Sequence, residues 1–298
     1  MGLTTPHLSK AARAALELSG SEHIKYIRKR RWIEYDKAVE ILALLEDLLT
    51  YPKTHRMPAL LIYGPSNNGK TMLITRFCKL HPGDDNPDGD AIVLPVLAVQ
   101  APPGPDESRF YEKILVTVNA PFRQFDKVGT KYLQVLSILR KIGTKMLVID
   151  EIHNILAGSY SKHRYFLNVI KSLSNDLQIP IVAAGTAEAL NALKADAQLF
   201  SRFAQVELPK WIAGDAYDSL VSSFERSIPL KKPSNLVGTD LASIILSGSD
   251  GIIGNIAAII TESAVKAVRD GTECITAEIL KSVVSKRAAT GVGKLPNG

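Results

Sequence analysis

Cysteine is scarce in this 298-residue chain: Cys78 and Cys274 stand far apart and match neither a zinc-ligand spacing nor a disulfide framework. Cys78 reads as a reduced thiol within an apolar helix. No apolar run approaches the ~18 uninterrupted residues a membrane span needs, and no signal-peptide core opens the chain. A cytoplasmic protein is expected. Neither sign of charge dominates, since 36 Lys plus Arg against 30 Asp plus Glu leave a net +6. That excess permits a polyanionic partner without requiring one. No zinc finger or other base-reading motif is present, so any DNA binding should run through backbone and shape rather than sequence.

Apolar residues make up 46% of the chain, enough for a real core in one large domain or two smaller ones. The first twenty residues are Ala- and Ser-rich and only weakly helical in pattern. "HIKYIRKRRWIEY" is densely basic, and "DKAVEILALLEDLL" has helical apolar spacing before "YPKTHRMP" stops it. Apolar strands then alternate with helices: Ala59–Tyr63, Ala91–Gln100, "KMLVIDE", "IPIVAAGT" and "FAQVELP". Continuously apolar strands in such alternation predict an α/β fold with a parallel sheet flanked by helices. After Trp211 only helical patterns follow. The expected division is an N-terminal basic, helical segment over 1–56, an α/β core over 57–210, an all-α domain over 211–290 and a disordered tail over 291–298.

Within that core, "GPSNNGKT" fits G-x-x-x-x-G-K-[ST], lying between a strand and a helix as the motif requires. Gly64, Pro65, Ser66, Asn67, Asn68 and Gly69 would wrap phosphate oxygens with backbone N–H groups, Met72 continuing the helix that follows. Lys70 would reach the β- and γ-phosphates and the Thr71 hydroxyl would ligate Mg²⁺. ATP and Mg²⁺ are therefore the expected ligands. "MLVIDE" carries Asp150 to the tip of a strand, where it would hold Mg²⁺ through water, and Glu151 beside it would polarise the attacking water. Thr186 at the end of "IVAAGT" either senses the γ-phosphate or N-caps "AEALNAL". Arg202, just before the last strand and expected near the top of the sheet, either reaches the γ-phosphate of a neighbouring subunit or pairs a surface acid.

Taken together, "GPSNNGKT", "LVIDEIHN", "AAGT", "SRF" and the trailing helices resemble the AAA+ ATPases in order and spacing. More narrowly, "RKRRWIEYDKA", "RMPALLIYGPSNNGKT", "PVLAVQAPPGPDESRFY" and "IDEIHN" resemble the TniB family of transposition regulators, related to TnsC and the phage Mu B protein, over about residues 22–288. The resemblance implies an AAA+ P-loop core with a C-terminal helical lid. It implies a slow, partner-regulated ATPase that oligomerises on duplex DNA as a filament or ring, six or seven subunits per turn. It also implies target marking for a DDE transposase, a TniQ-type targeting partner, and a place at the bacterial nucleoid. Lys70, Thr71, Asp150, Glu151, Thr186 and Arg202 would keep the roles given above, and Trp32 and Tyr35 would lie near the adenine. Asn255 stands where many AAA+ lids offer an arginine to the nucleotide, which would weaken lid coupling and slow hydrolysis. An AAA+ loader of a replication or repair factor shares every nucleotide motif, and a P-loop kinase for small molecules shares the phosphate loop.

A subunit tracking a duplex needs phosphate contacts repeated from protomer to protomer. Arg109, Lys113, Arg123, Lys127 and Lys131, with the Thr130 hydroxyl, are the candidates between the second strand and the Asp150 strand. "IKYIRKRRW" binds DNA, contacts a neighbouring subunit or simply solvates a helix; composition does not choose.

Overall fold

The computed structural model describes residues 5–86, 88–156, 160–194 and 200–290. The expected tail over 291–298 lies outside them, as do the first four residues of the weakly helical start. Two compact units emerge: Asp36–Leu208 forms one, and the chain up to Tyr35 joins the chain from Pro209 onward in the other. The expected N-terminal segment over 1–56 is therefore divided, because its two helical stretches bury their apolar stripes in different cores.

In the Asp36–Leu208 unit, five parallel strands form one sheet, β1 (Ala59–Tyr63), β2 (Val96–Gln100), β3 (Met146–Asp150), β4 (Ile181–Gly185) and β5 (Phe203–Glu207). Their spatial order is β2-β3-β4-β1-β5. Every residue of β3 and β4 is buried, whereas the edge strand β5 alternates partly with exposed positions. This is the apolar signature of strands covered on both faces. The strand expected over Ala91–Gln100 pairs only from Val96. Pro95 has no N–H to give, and its carbonyl instead accepts from Lys145 and Met146 at 2.8 and 3.1 Å.

Helices cover the sheet because their stripes recur at helical spacing. Ala38, Ile41 and Leu45 line the buried side of Asp36–Leu49, and Leu73, Ile74 and Phe77 that of Lys70–Leu80. Phe110, Tyr111, Ile114 and Leu115 do the same on Glu107–Thr117, which starts where the Asp106 carboxylate accepts the Arg109 N–H at 3.0 Å. Burying each Leu, Ile or Phe among them is worth about 1.5–3 kcal/mol.

The other unit is helical. Ile27, from the helix Gly20–Arg28, packs in one core with Tyr217 and Phe224 (Asp215–Ser227), Ile245 (Asp240–Ser249), Ile256 and Ile260 (Ile253–Arg269) and Leu280 (Ala277–Ala289). The Thr239 and Thr276 hydroxyls cap two of these helices. Within the basic run, Arg31 donates to the carbonyls of Tyr26 and Ile27 at 2.5 and 2.9 Å, closing the end of Gly20–Arg28. That cation caps a helix.

Candidate phosphate-binding site

The phosphate loop leaves β1 at Tyr63 and enters the helix Lys70–Leu80. Two glycines make that path possible. At Gly64 an added Cβ would sit 2.4 Å from the Leu208 carbonyl oxygen. Gly69, the helix N-cap, holds φ at 90°, a region closed to side chains with a Cβ. Asn68 is buried and donates its amide to that same Leu208 carbonyl at 2.8 Å, tying the loop to the strand end beside it. The result is a backbone cradle that a side chain would fill, which suits a polyphosphate.

Lys70 is buried at 5% exposure and turns its ammonium back into the loop, donating to the carbonyls of Gly64 and Pro65 at 2.8 and 2.7 Å. Burial pushes its pKa below the ordinary lysine value, while Glu151, Asp150 and Glu188 pull in the opposite direction. A cation hydrogen-bonded only to neutral carbonyls among the described residues has strong reason to take an anion. Thr71 donates its hydroxyl to Asp150 Oδ2 at 2.6 Å. This pair of hard oxygens, one neutral and one anionic, fits Mg²⁺, which keeps most of its waters and takes few protein ligands. Among the described residues no cluster of three or more His, Cys, Asp or Glu side chains could hold a metal alone.

Glu151 lies just past β3 with φ at 56°, an uncommon conformation outside glycine. Its N–H donates to Asp150 Oδ1 at 2.9 Å, and its carboxylate contacts His153 Nε2 at 3.0 Å. His153 therefore orients the acid that the sequence singled out, a role its place in "DEIHN" did not announce. The Thr186 hydroxyl, heading the helix Ala187–Lys194, is buried and makes no hydrogen bond of standard geometry. It still approaches the Glu188 carboxyl closely enough to hold that group below its ordinary range, with the Glu188 backbone helping. Glu188 was also missed, since a first-turn helix acid looks like an ordinary capping residue.

The carboxyl ends of β1, β3 and β4 thus gather Lys70, Thr71, Asp150, Glu151 and Thr186. Gly64 donates its N–H to the Gly185 carbonyl at 3.2 Å, which fixes the Thr186 corner against the loop. Arg202 is not near that edge. Its carbonyl accepts from Ala59 N at 3.3 Å, at the opposite end of β1, and five residues of strand separate it from Gly64. At about 3.3 Å per residue it cannot reach the phosphates bound by its own subunit. The expectation that it sits near the top of the sheet is therefore corrected. Its guanidinium lies 3.5 Å from Asn175 Oδ1, and burial, then Arg56, lower its pKa.

Of the candidate DNA contacts, Arg109, Arg123, Lys127 and Thr130 are exposed, Arg109 pairing with Asp106 at 3.3 Å. Arg109 and Lys113 also line an open groove of about 540 Å³ with Gln100, Pro102 and Asn154. Lys131 is a correction. It is 1% exposed, and its ammonium is held by Glu112 at 2.5 Å, Gln124 O at 2.8 Å and Ser108 at 2.9 Å, so no charge is left for phosphate. Trp32, Tyr35 and Asn255 belong to the helical unit. There Tyr35 meets Trp211 edge-on at 5.1 Å, burial raises its hydroxyl pKa to about 12, and the Asn255 amide donates to Ser249 O at 3.3 Å.

A family model described as bacterial TniB protein matches residues 23–213. No curated protein matches. Among solved structures, the chain is similar to the Aeropyrum pernix ORC2 protein at 14% identity, covering 88% of this chain and 71% of that one with a TM-score of 0.62. It is similar to the Aeropyrum pernix ORC1 protein in complex with DNA at 15% identity, covering 92% and 72% with a TM-score of 0.61. The Thermotoga maritima RuvB Holliday junction branch migration motor matches at 15% identity, over 91% and 76%, with a TM-score of 0.53. These likenesses show the fold: a parallel five-stranded sheet flanked by helices, with further helices toward the C-terminus. No described helix is long and apolar enough to cross a membrane.

Proposed function

The chain belongs to the bacterial TniB family, and on that premise we propose that it is an ATP-hydrolysing regulator of DNA transposition that assembles on duplex DNA. One observation carries the reading: the buried Lys70 ammonium, the Thr71–Asp150 oxygen pair and the tethered Glu151 carboxylate share one sheet edge beside a glycine cradle. Lys70 and the loop N–H groups would bind the β- and γ-phosphates. Magnesium, held by Thr71 and Asp150, would neutralise charge developing on the leaving phosphate. Glu151 would take a proton from the attacking water, with His153 fixing its carboxylate and Thr186 orienting the water from the other side.

Arg202 gives this reading its assembly step. Too far from its own loop, it would enter the site of an adjacent protomer, so that ATP binding glues subunits together and hydrolysis releases them. Duplex DNA would be gripped through its phosphates by exposed Arg109, Lys113, Arg123 and Lys127. The polymer would mark a target for a DDE transposase, with a TniQ-type partner, at the bacterial nucleoid. The solved relatives include an ORC protein in complex with DNA, which favours a second reading as a loader of a replication factor. The family match extends on both sides of the nucleotide motifs, which supports the transposition reading.

The test is electron microscopy and ATP turnover with duplex DNA. Polymers are expected with a non-hydrolysable ATP analogue and not with ADP. Arg202→Ala should keep nucleotide binding yet lose both polymer and turnover. Protein that stays monomeric on DNA under saturating analogue would refute the proposal, and co-purification with a replication protein rather than a transposase would select the loader.

A further inference from the structure

We propose that Phe125 is an aromatic wedge for duplex DNA, entering a base step while Arg123 and Lys127 hold phosphates on either side. The inference rests on the DNA-binding reading above and names the contact that reading lacks. Phe125 is 95% exposed, more than any other large apolar side chain among the described residues. It is not on a loose strand of chain. Asp126 N donates to Arg123 O at 3.2 Å, closing a turn with Gln124 and Phe125 at its tip.

That turn is fixed from beneath at three points. Lys131 donates to the Gln124 carbonyl at 2.8 Å, and its own position is set by Glu112 and Ser108. Gln134 donates to the Pro121 carbonyl at 2.6 Å. Phe122 packs against the core of the unit. A buried lysine is a costly device. Here it holds one carbonyl of an exposed turn, which makes sense if the residue that turn displays must be presented at a fixed angle.

The surroundings favour DNA over a protein partner. Gln124, Arg123 and Lys127 around the ring are exposed and polar or cationic, with Asp126 the only acid from Pro121 to Lys131. Proteins that kink DNA insert an apolar side chain beside cations on the backbone, and Arg123 and Lys127 supply such cations next to Phe125. Such insertion costs least at pyrimidine–purine steps.

The experiment uses the full chain with a non-hydrolysable ATP analogue and duplexes carrying 2-aminopurine beside a TA step. Wild type should raise aminopurine emission on binding. Phe125→Ala should abolish that rise and weaken binding on the order of tenfold, without changing the salt dependence, because no phosphate contact is lost. Phe125→Trp should restore it. Arg123→Ala with Lys127→Ala should instead reduce the slope of log K against log salt by about one to two. Phe125→Ala that binds and brightens aminopurine as wild type does would overturn the wedge. Loss of DNA-free self-association in that variant would overturn it too, marking the ring as a protein contact. Wild type that fails to bind any duplex would sink the DNA-binding reading itself.

Discussion

Replacing Gly64 with alanine tests whether the phosphate loop is shaped by close approach to the neighbouring strand end. The new Cβ would lie 2.4 Å from the Leu208 carbonyl oxygen, and 3.2 Å from Leu208 Cβ. Real contacts of that kind do not occur below 3.0 Å, and both partners are anchored. Leu208 donates its N–H to Tyr63 O at 2.8 Å, so its carbonyl cannot swing away without disturbing the β1–β5 edge. The displacement also pulls that carbonyl from the buried Asn68 amide, now at 2.8 Å. Overpacking costs about 1–3 kcal/mol, and a lost buried hydrogen bond about 1–3 kcal/mol more. Gly64→Ala should therefore destabilise by about 2–6 kcal/mol, or roughly 4–24 °C in the unfolding of a unit of this size. Differential scanning fluorimetry without nucleotide reads this directly, and titration of ADP should show weakened binding. Gly129→Ala is the control, because nothing lies within 4 Å of a Cβ there and φ is ordinary; its Tm should hold or rise slightly. If Gly64→Ala melts within about 2 °C of wild type, the loop is not formed by this contact and the cradle argument is wrong.

Glu151→Gln should leave ATP binding intact while slowing phosphate release by about 10²–10⁴-fold, and His153→Ala should slow it less, since it removes only the group 3.0 Å from that carboxylate; equal turnover by Glu151→Gln and wild type would remove it as the base. Lys131→Met should lower Tm through loss of a buried pair with Glu112, and an unchanged Tm would contradict that burial. Thr186→Val should raise the Glu188 pKa toward its ordinary value, as followed by carboxyl carbon NMR, because the hydroxyl is the main cause of its depression. Since the folded pKa is depressed, this group adds stability above its unfolded pKa of about 4.5 and loses it as pH falls through the folded value. The variant should be less acid-sensitive across that window than wild type, and an unchanged Glu188 pKa would contradict the close approach of the hydroxyl.

Much of the candidate phosphate site is legible along the chain because its parts are short and contiguous. A phosphate loop needs two glycines and a lysine at fixed offsets, and a buried parallel strand announces itself as an apolar run ending in acids. Asp150, Glu151 and Lys70 can therefore be singled out as candidates from the sequence, and the helix Asp36–Leu49 is legible there too. What stayed hidden depends on residues distant in sequence. Lys131 looked like a surface cation because nothing along the chain says that Glu112, Ser108 and Gln124 O converge on it. Arg202 looked close to the phosphates, but a residue just before a strand parallel to β1 lies at the amino ends of both, and β5 runs parallel to β1.

Local chemistry alone, then, marked the candidate phosphate loop, since such a loop is a backbone geometry written in consecutive residues. Tertiary structure decided which charges remain free to act and on which side of the sheet each one faces. Burial and strand order are properties of the whole fold, and no window of sequence contains them.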